Sequence, residues 1–205
     1  MHRLGVLISG RGSNLQAIID AVRSGALDAA IAVVISNRAD AAGLQRAREA
    51  GIETCCLNPR DHPDGDAYDG ALVRTLKERR VDLVCLAGFM RLVRRPLLDA
   101  FPNRILNIHP SLLPAFPGLR AQQQALEHGV RITGATVHLV TAVVDDGPIV
   151  VQAAVPVLDE DTVETLSARI LIEEHRLYVE AIRVMLEERW RVSGRRFVRD
   201  AQPHP

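Results

Sequence analysis

The chain has 205 residues, 47% of them hydrophobic, and its 25 Lys and Arg residues balance its 25 Asp and Glu residues to a formal net charge of zero. This length and composition predict one compact, enzyme-sized domain with a sizeable core. The basic and acidic charges balance, and the sequence has no apolar run long enough to cross a bilayer and no signal-peptide pattern, so we expect a cytoplasmic protein that binds neither nucleic acid nor membranes.

The first half of the chain alternates short β-branched segments with longer segments of helical period. This alternation is typical of βαβ units and predicts an α/β fold with a doubly wound, mainly parallel sheet and a Rossmann-like N-terminal half. Gly25 and Gly51 each follow a helical segment, where a left-handed cap is needed. The predicted strands are residues 5–8, 31–35, 54–57, 83–86 and 105–108, and the predicted helices are residues 13–24, 42–50 and 66–80.

The pattern changes after residue 108, because HPSLLPAFPG contains three prolines and one glycine and therefore predicts a shaped loop. A short helix that ends near Gly129 follows this loop. Residues 135–140 and 149–155 predict a pair of strands, and residues 162–188 predict a long amphipathic helix that packs across the sheet. Residues 189–199 are locally basic. The chain contains no repeat and no linker, which favours a single domain.

The segment SGRGSN, residues 9–14, connects a predicted buried strand to a predicted helix start. Free backbone N–H groups and the helix dipole attract phosphate at such a position, and glycines let the backbone come close. A dinucleotide fingerprint would need a third glycine, where Leu15 stands, and an acidic residue after the second strand, where residues 37–38 are Asn and Arg. The segment therefore predicts a phosphate site and no NAD site. The alternative is that Ser13 and Asn14 only cap the helix.

The fifth predicted strand carries Asn107 and His109 at its carboxyl end, where open α/β sheets place their ligands. Side chains two residues apart on a strand share a face. Both groups can therefore point at one developing oxyanion, and the imidazole can also exchange protons. The alternative is that His109 is a core residue or a cap without a chemical role.

The segment DDGP, residues 145–148, connects the two late strands. Its Asp-Gly dipeptide is typical of an ordinary hairpin turn, which is one interpretation. The other is that Asp145 lies beside Asn107 and His109 and holds the imidazole or a proton-carrying water in place, as formyl or acyl transfer requires. Because these residues are far apart in the sequence, their convergence is a hypothesis.

The three cysteines offer neither a disulfide framework nor a metal-binding spacing. Cys55 and Cys56 are adjacent, and Cys85 lies inside an apolar, strand-like segment. We therefore expect reduced thiols and no metal site.

Together the segments LISGRGSNLQAII, LAGFMRLV, ILNIHPSLLP, GATVHLV and DDGPIVVQ, in this order, resemble the glycinamide ribonucleotide formyltransferase family. The resemblance implies transfer of the formyl group of 10-formyltetrahydrofolate to the amine of glycinamide ribonucleotide in de novo purine biosynthesis. It implies small-molecule substrates, no metal and no NAD, and leaves a homo-oligomer possible. It also implies a single formyltransferase domain, residues 1–205, with a phosphate- and ribonucleotide-binding half, about 1–105, and a folate-binding and catalytic half, about 106–205.

The resemblance also implies roles for individual residues. The catalytic trio is Asn107, His109 and Asp145. The ribonucleotide is bound by Gly12, Ser13, Asn14 and Glu174. The folate is bound by Met90, Arg91, Leu92, Val93, Asn107, Val140, Val143 and Val144.

Three residues depart from the family pattern. Asp146 stands where glycine is frequent, Gln122 where some members carry His, and Ala115 where Lys is common. None of these changes removes a catalytic residue. We expect the extra carboxylate of Asp146 to stiffen the folate loop or to repel its ligand.

Other users of the same folate are the nearest alternatives. A methionyl-tRNA formyltransferase would add a C-terminal nucleic-acid-binding domain, and a formyltetrahydrofolate hydrolase would add an N-terminal regulatory domain. We expect neither from a chain of this length. A further alternative is a non-catalytic nucleotide-binding module, which the presence of Asn107, His109 and Asp145 disfavours.

Overall fold

A nine-stranded sheet runs through the computed structural model, which describes residues 1–200. Its strand order is β3-β2-β1-β4-β5-β6-β7-β9-β8. The strands are β1 (His2–Ile8), β2 (Ala29–Ser36), β3 (Thr54–Cys56), β4 (Leu83–Leu86), β5 (Ile105–His109), β6 (Ile132–Leu139), β7 (Ile149–Pro156), β8 (Trp190–Ser193) and β9 (Arg196–Arg199).

The direction of the strands changes at β5. Strands β1 to β5 pair in parallel with one another, whereas β6 runs antiparallel to both β5 and β7. Strand β9 pairs in parallel with β7 and antiparallel with β8. The predicted α/β fold with a mainly parallel, doubly wound sheet is confirmed.

Helices cover both faces of the sheet. The helices are α1 (Ser13–Arg23), α2 (Ala42–Glu49), α3 (Gly65–Glu78), α4 (Arg95–Ala100), α5 (Ala121–Glu127) and α6 (Val163–Glu187). Helices α1, α2 and α6 bury apolar side chains in one core, and α3 and α4 bury theirs in a second core on the opposite face. Within β1, Val6 belongs to the first core and Leu7 to the second, as the alternation of a strand requires.

Helix α6 packs across β5, β6 and β7 and contacts α1, as the sequence predicts. Its start is fixed by a capping box, in which the Thr162 hydroxyl accepts from the Thr165 N–H at 3.3 Å and the Thr165 hydroxyl accepts from the Thr162 N–H at 3.0 Å. Within residues 1–200, every helix falls short of the length and apolar character needed to cross a bilayer.

Two parts of the fold were not predicted. Helix α4 has six residues, too few for a clear helical period, although it carries a proline in its first turn. The basic segment at residues 189–199 forms the β8–β9 hairpin, in which Trp190 stacks on Phe197 with ring centroids 5.1 Å apart. The arginines between these two aromatic residues conceal the strand pattern in the sequence.

Candidate active site

The predicted catalytic residues come together where β5 ends. Asn107 and His109 belong to β5, and Asp145 lies in the loop of residues 140–148 that connects β6 to β7. The antiparallel register places His138 of β6 directly opposite Asn107. The structure thus unites the three predicted residues and adds His138, which the sequence did not indicate.

His109 has an acceptor at each ring nitrogen. Its Nδ1 lies 3.3 Å from Oδ2 of Asp145, and its Nε2 lies 2.8 Å from the carbonyl oxygen of Phe116. The side chains of His109 and Asp145 are only 6% and 9% exposed, so bulk water is largely excluded from the pair. The Nε2 atom is within hydrogen-bond distance of the Phe116 carbonyl oxygen. The ring and the Asp145 carboxylate lie close enough to form an ion pair when the ring carries a charge.

His138 orients the amide of Asn107. Its Nδ1 lies 2.9 Å from the carbonyl oxygen of Leu139, which requires an N–H at that nitrogen. In the neutral ring Nε2 is then an acceptor, and it lies 3.1 Å from Nδ2 of Asn107. The same Nδ2 lies 3.5 Å from Oδ1 of Asp145, at the outer limit of a hydrogen bond. Asn107 is thus held by one firm contact and one weak contact.

Asp145 occupies a constrained position in its loop. Its backbone is left-handed, with φ 51°, a conformation that Asp and Asn tolerate better than most residues. Its Oδ2 accepts a 2.8 Å hydrogen bond from the Gly118 N–H. Burial by itself raises the pKa of the Asp145 carboxyl, but the hydrogen bond from the Gly118 N–H and the nearby imidazoles of His109 and His138 bring this pKa below its ordinary value. The carboxyl is therefore ionised at neutral pH.

A cavity of about 770 Å³ opens beside these residues. Its walls include residues 88–95 and residues 140–145, and Asn107, His109 and His138 line it as well. Several of its apolar side chains are exposed, which is typical of a ligand site. The residues predicted to bind folate all line it: Met90, Arg91, Leu92, Val93, Asn107, Val140, Val143 and Val144.

The predicted phosphate loop turns sharply into α1. Gly12 is the N-cap and has a left-handed backbone with φ 72°, and a Cβ there would lie 2.7 Å from the Cα of Gly43. Ser13 and Asn14 begin the helix, where the first N–H groups have no partner within it. Within residues 1–200 no side chain caps this helix, so the alternative that Ser13 and Asn14 only cap it is wrong.

Glu174 of α6 reaches the same loop. Its Oε2 accepts a 2.9 Å hydrogen bond from Nδ2 of Asn14, and both side chains are buried. Burial raises the pKa of the Glu174 carboxyl, and the bond from Asn14 only partly opposes this shift. Oδ1 of Asn14 is also buried and has no hydrogen-bond partner in the part of the chain that the structure describes. Oδ1 of Asn14 therefore lacks a hydrogen-bond donor, and either a bound ligand or a protonated Glu174 would supply one.

Ser9 connects the phosphate loop to the cavity. Its hydroxyl accepts a 2.8 Å hydrogen bond from the Met90 N–H and donates a 2.6 Å hydrogen bond to Oδ1 of Asn37. The Ser9 N–H donates to the carbonyl oxygen of Gly88 at 3.1 Å. One wall of the cavity is thus anchored to the start of the phosphate loop, although the residues predicted to bind the ribonucleotide do not line the cavity itself.

The three departures from the family pattern have different surroundings. The carboxylate of Asp146 is paired with the guanidinium of Arg195, whose two terminal nitrogens each donate to it at 2.7 Å. Its charge is therefore offset and is held on the outside of the loop. Gln122 lines the cavity, whereas Ala115 is exposed and does not line it.

The three cysteines form no disulfide among residues 1–200. Cys55, Cys56 and Cys85 are free thiols, and Cys85 is buried in β4. Across residues 1–200, no group of three or more His, Cys, Asp or Glu residues is arranged to hold a metal ion.

Three comparisons relate the chain to known proteins. The trifunctional purine biosynthetic protein adenosine-3 of Drosophila pseudoobscura pseudoobscura is 50% identical over 185 residues, which are 89% of this chain and 14% of that protein. Phosphoribosylglycinamide formyltransferase of Escherichia coli (strain K12) is 46% identical over 84% of this chain and 82% of its own length. The crystal structure of glycinamide ribonucleotide transformylase 1 from Symbiobacterium toebii superposes with a TM-score of 0.95 at 63% identity, over 96% of this chain and 93% of that one.

The chain therefore spans only a small part of the trifunctional relative but most of the bacterial relatives. The relationship that the motifs indicate is confirmed by these identities. A family model described as formyl transferase matches residues 2–182. With this match over most of its length, the chain belongs to the formyl transferase family.

Proposed function

We propose that this chain transfers the formyl group of 10-formyltetrahydrofolate to the amine of glycinamide ribonucleotide, a step of de novo purine biosynthesis. The observation that carries the proposal is the contact of His109 with Asp145 beside Asn107, in a cavity lined by the residues predicted to bind folate. Relatives named phosphoribosylglycinamide formyltransferase, 44–46% identical to this chain, support the same substrates.

Each substrate has a place in this proposal. The ribonucleotide phosphate binds the backbone N–H groups of Gly12, Ser13 and Asn14 at the start of α1. Glu174 accepts hydrogen bonds from the ribonucleotide, and a ribose hydroxyl there would supply the donor that Oδ1 of Asn14 lacks. The folate takes the cavity, whose apolar side chains suit a flat pterin while backbone groups bind its polar edge.

Asn107 and His109 would stabilise the negative charge that develops on the formyl oxygen when the amine attacks the formyl carbon. Asn107 can give up its weak 3.5 Å contact with Asp145, and His109 can give up its contact with the carbonyl oxygen of Phe116. Substrate binding therefore has to shift the Phe116 carbonyl. One donor of this kind typically contributes about 2.7–4 kcal/mol, so replacing Asn107 or His109 should lower kcat by about 10²–10³-fold.

Asp145 would serve the second need of the reaction, which is removal of a proton from the new ammonium group. Its carboxyl is ionised, shielded from bulk water and 3.3 Å from Nδ1 of His109. It can stabilise a positively charged imidazole and accept the proton directly or through a water molecule. The proton then goes to N10 of the folate as the bond between N10 and the formyl carbon breaks. The same carboxylate thus serves both the ring and the amine.

The test is an absorbance assay that follows the loss of formyl-folate with glycinamide ribonucleotide as the acceptor. We expect loss that requires the ribonucleotide and gives one formylated product for each folate consumed. Loss without an acceptor would instead indicate a hydrolase, and loss only with a different amine would indicate another formyltransferase. Ribonucleotide binding without any loss would indicate a nucleotide-binding module.

The wider organisation stays a prediction. We propose that residues 1–205 act as a single domain, with about 1–105 binding phosphate and ribonucleotide and about 106–205 binding folate and catalysing transfer. Met90 and Glu174 would cross this division, each serving the substrate of the other half. The cytoplasmic location, the independence from metal and NAD and a possible homo-oligomer are likewise predictions.

A further inference from the structure

The tip of the β8–β9 hairpin contacts the loop that carries Asp145. Nη1 and Nη2 of Arg195 donate to the two carboxylate oxygens of Asp146 at 2.7 Å each, and Nη2 also donates to the Asp146 carbonyl oxygen at 3.1 Å. A two-pronged contact between an arginine and a carboxylate fixes direction as well as distance. The contact joins residues 49 positions apart in the sequence, immediately beside the predicted catalytic carboxylate.

The β8–β9 hairpin is packed against the rest of the protein. Trp190 stacks on Phe197, and its indole N–H donates to the carbonyl oxygen of Met185 at 3.2 Å. The guanidinium of Arg104 lies 5.4 Å above the same indole ring. The hairpin is thus attached to the end of α6 and to the segment that precedes β5.

The inner side of the loop is attached through Asp145, which contacts His109 and the Gly118 N–H. Val143 and Val144 on one side are exposed. On the other side, Gly147 packs so closely against the carbonyl oxygen of Leu139 that no Cβ would fit. Strand β9 joins β7 through a single residue pair, Ile149 with Arg196. Arg195 therefore adds a long-range contact on the outer side of this loop.

We propose that Arg195 is a positioning residue, which acts through Asp146 to keep the Asp145 carboxylate turned towards His109 and His138. The two consecutive aspartates point in opposite directions, since the Asp145 side chain is 9% exposed and the Asp146 side chain is 41% exposed. A contact that holds the Asp146 side chain at the surface therefore keeps the Asp145 side chain in the buried site. The catalytic meaning of this contact rests on the proposed function, but the orientation of Asp145 does not.

The decisive measurement is an NMR titration of the Asp145 side-chain carboxyl in the wild type and in Arg195→Ala. This carboxyl faces the amide of Asn107 and His109 from β5, His138 from β6 and the Gly118 N–H. The two imidazoles and the Gly118 N–H lower its pKa. A loosened loop weakens these contacts, so the Asp145 pKa should rise towards its ordinary value in the variant. An identical titration in the two proteins would overturn the proposal, whether or not the chain transfers formyl groups.

Kinetics supply a second readout once the wild type is shown to be active. Arg195→Ala should lower kcat and raise the KM for formyl-folate, each by up to about fivefold, the scale of an exposed ion pair, while the KM for the ribonucleotide stays unchanged. The double variant that exchanges the charges, Asp146→Arg with Arg195→Asp, should recover most of the loss that Asp146→Arg causes alone. Equal effects of the single and double variants would count against the contact.

The matched control is Arg191→Ala. Arg191 belongs to the same hairpin and pairs with Asp200, with a similarly exposed side chain, but it does not contact the loop. It should leave the Asp145 titration and the KM for formyl-folate as in the wild type. Melting temperatures of all the variants should stay close together, since exposed ion pairs contribute little to stability.

Discussion

Oδ2 of Asp145 lies 3.3 Å from Nδ1 of His109, although one residue belongs to a loop and the other ends a central strand. Asp145 has a left-handed backbone conformation, and its Oδ2 also accepts a hydrogen bond from the Gly118 N–H. A residue that only shaped a turn would not need to be buried against two imidazoles. A substitution at Asp145 therefore tests directly whether this residue has a catalytic role.

Replacing Asp145 with Asn should distinguish a structural role in the turn from a catalytic role. Asn keeps the size, tolerates the left-handed backbone and can still accept from Gly118, but it has no charge and cannot accept the proton. We expect kcat to fall by about 10²-fold or more, with the melting temperature and ribonucleotide affinity near wild type. Steady-state kinetics and thermal unfolding measure the two effects.

Asp146→Asn is a poor control for this experiment, because it weakens the contact with Arg195. Asp159→Asn is better matched, since Asp159 is an exposed aspartate that pairs with Arg131 on the surface. It should leave kcat unchanged. Near-normal kcat in Asp145→Asn would remove Asp145 from the catalytic trio.

Gly12→Ala should damage the phosphate loop. The left-handed backbone costs a residue with a Cβ about 1–2 kcal/mol, and this Cβ would also press on Gly43. We expect a lower melting temperature and weaker ribonucleotide binding, measured by thermal unfolding and calorimetry. Gly10→Ala is the control, since a Cβ there meets nothing within 4 Å. A crystal structure with the ribonucleotide phosphate bound away from Gly12, Ser13 and Asn14 would refute the assignment of this loop.

Glu174→Gln should stabilise the free protein in a pH-dependent way. Because folding raises the pKa of Glu174, the folded state holds its proton more tightly than the unfolded state. The resulting stability is fully present below the unfolded pKa and is lost as pH rises through the folded pKa. Gln carries no charge and its amide can donate to the unpartnered Oδ1 of Asn14. The melting temperature of the variant should therefore exceed that of the wild type at about pH 7, and the difference should be smaller at about pH 4.

The same substitution should weaken ribonucleotide binding, because the proposed site loses its carboxylate. Calorimetric titration with the ribonucleotide measures this cost. Glu173→Gln is the control, since Glu173 is the preceding residue of α6 and pairs with Arg176 at the surface. A Glu174→Gln variant that binds the ribonucleotide like the wild type would mean that Glu174 has only a structural role.

Turnover should survive the removal of metal ions. The proposed donors to the formyl oxygen are Asn107 and His109, and the carboxylate of Asp145 is already engaged by His109 and Gly118. We expect the same kcat before and after treatment with EDTA and gel filtration. Activity that disappears with EDTA and returns with zinc or magnesium would contradict this expectation.

Much of the fold was accessible from the sequence because its signals are local. The front half of the sheet has β-branched strands and glycine caps, and its predicted elements agree with the observed ones to within a few residues. The segments that escaped prediction are short and have weak local patterns. Helix α4 has six residues, and the arginines of β8 and β9 conceal the alternation of the strands, although Trp190 packs on Phe197.

The site divides in the same way. Asn107 and His109 were predictable because they share one strand, and Asp145 was one of two interpretations of a turn. His138 is a single imidazole in an apolar strand, and only its antiparallel pairing with β5 brings it to Asn107. The contacts of Phe116 with His109 and of Arg195 with Asp146 arise from loop geometry, for which the sequence has no periodic signal.

The hydrogen bond between Asn14 and Glu174 joins residues 160 positions apart, so the order of synthesis matters for this protein. A nascent chain that has reached residue 160 already contains strands β1 to β7 and the catalytic trio. It still lacks α6, and the side of α1 that α6 covers would meet water. Until α6 is synthesised, such a chain exposes an apolar surface to which chaperones can bind. The proposed ribonucleotide pocket gains the carboxylate of Glu174 only when α6 docks and covers this surface.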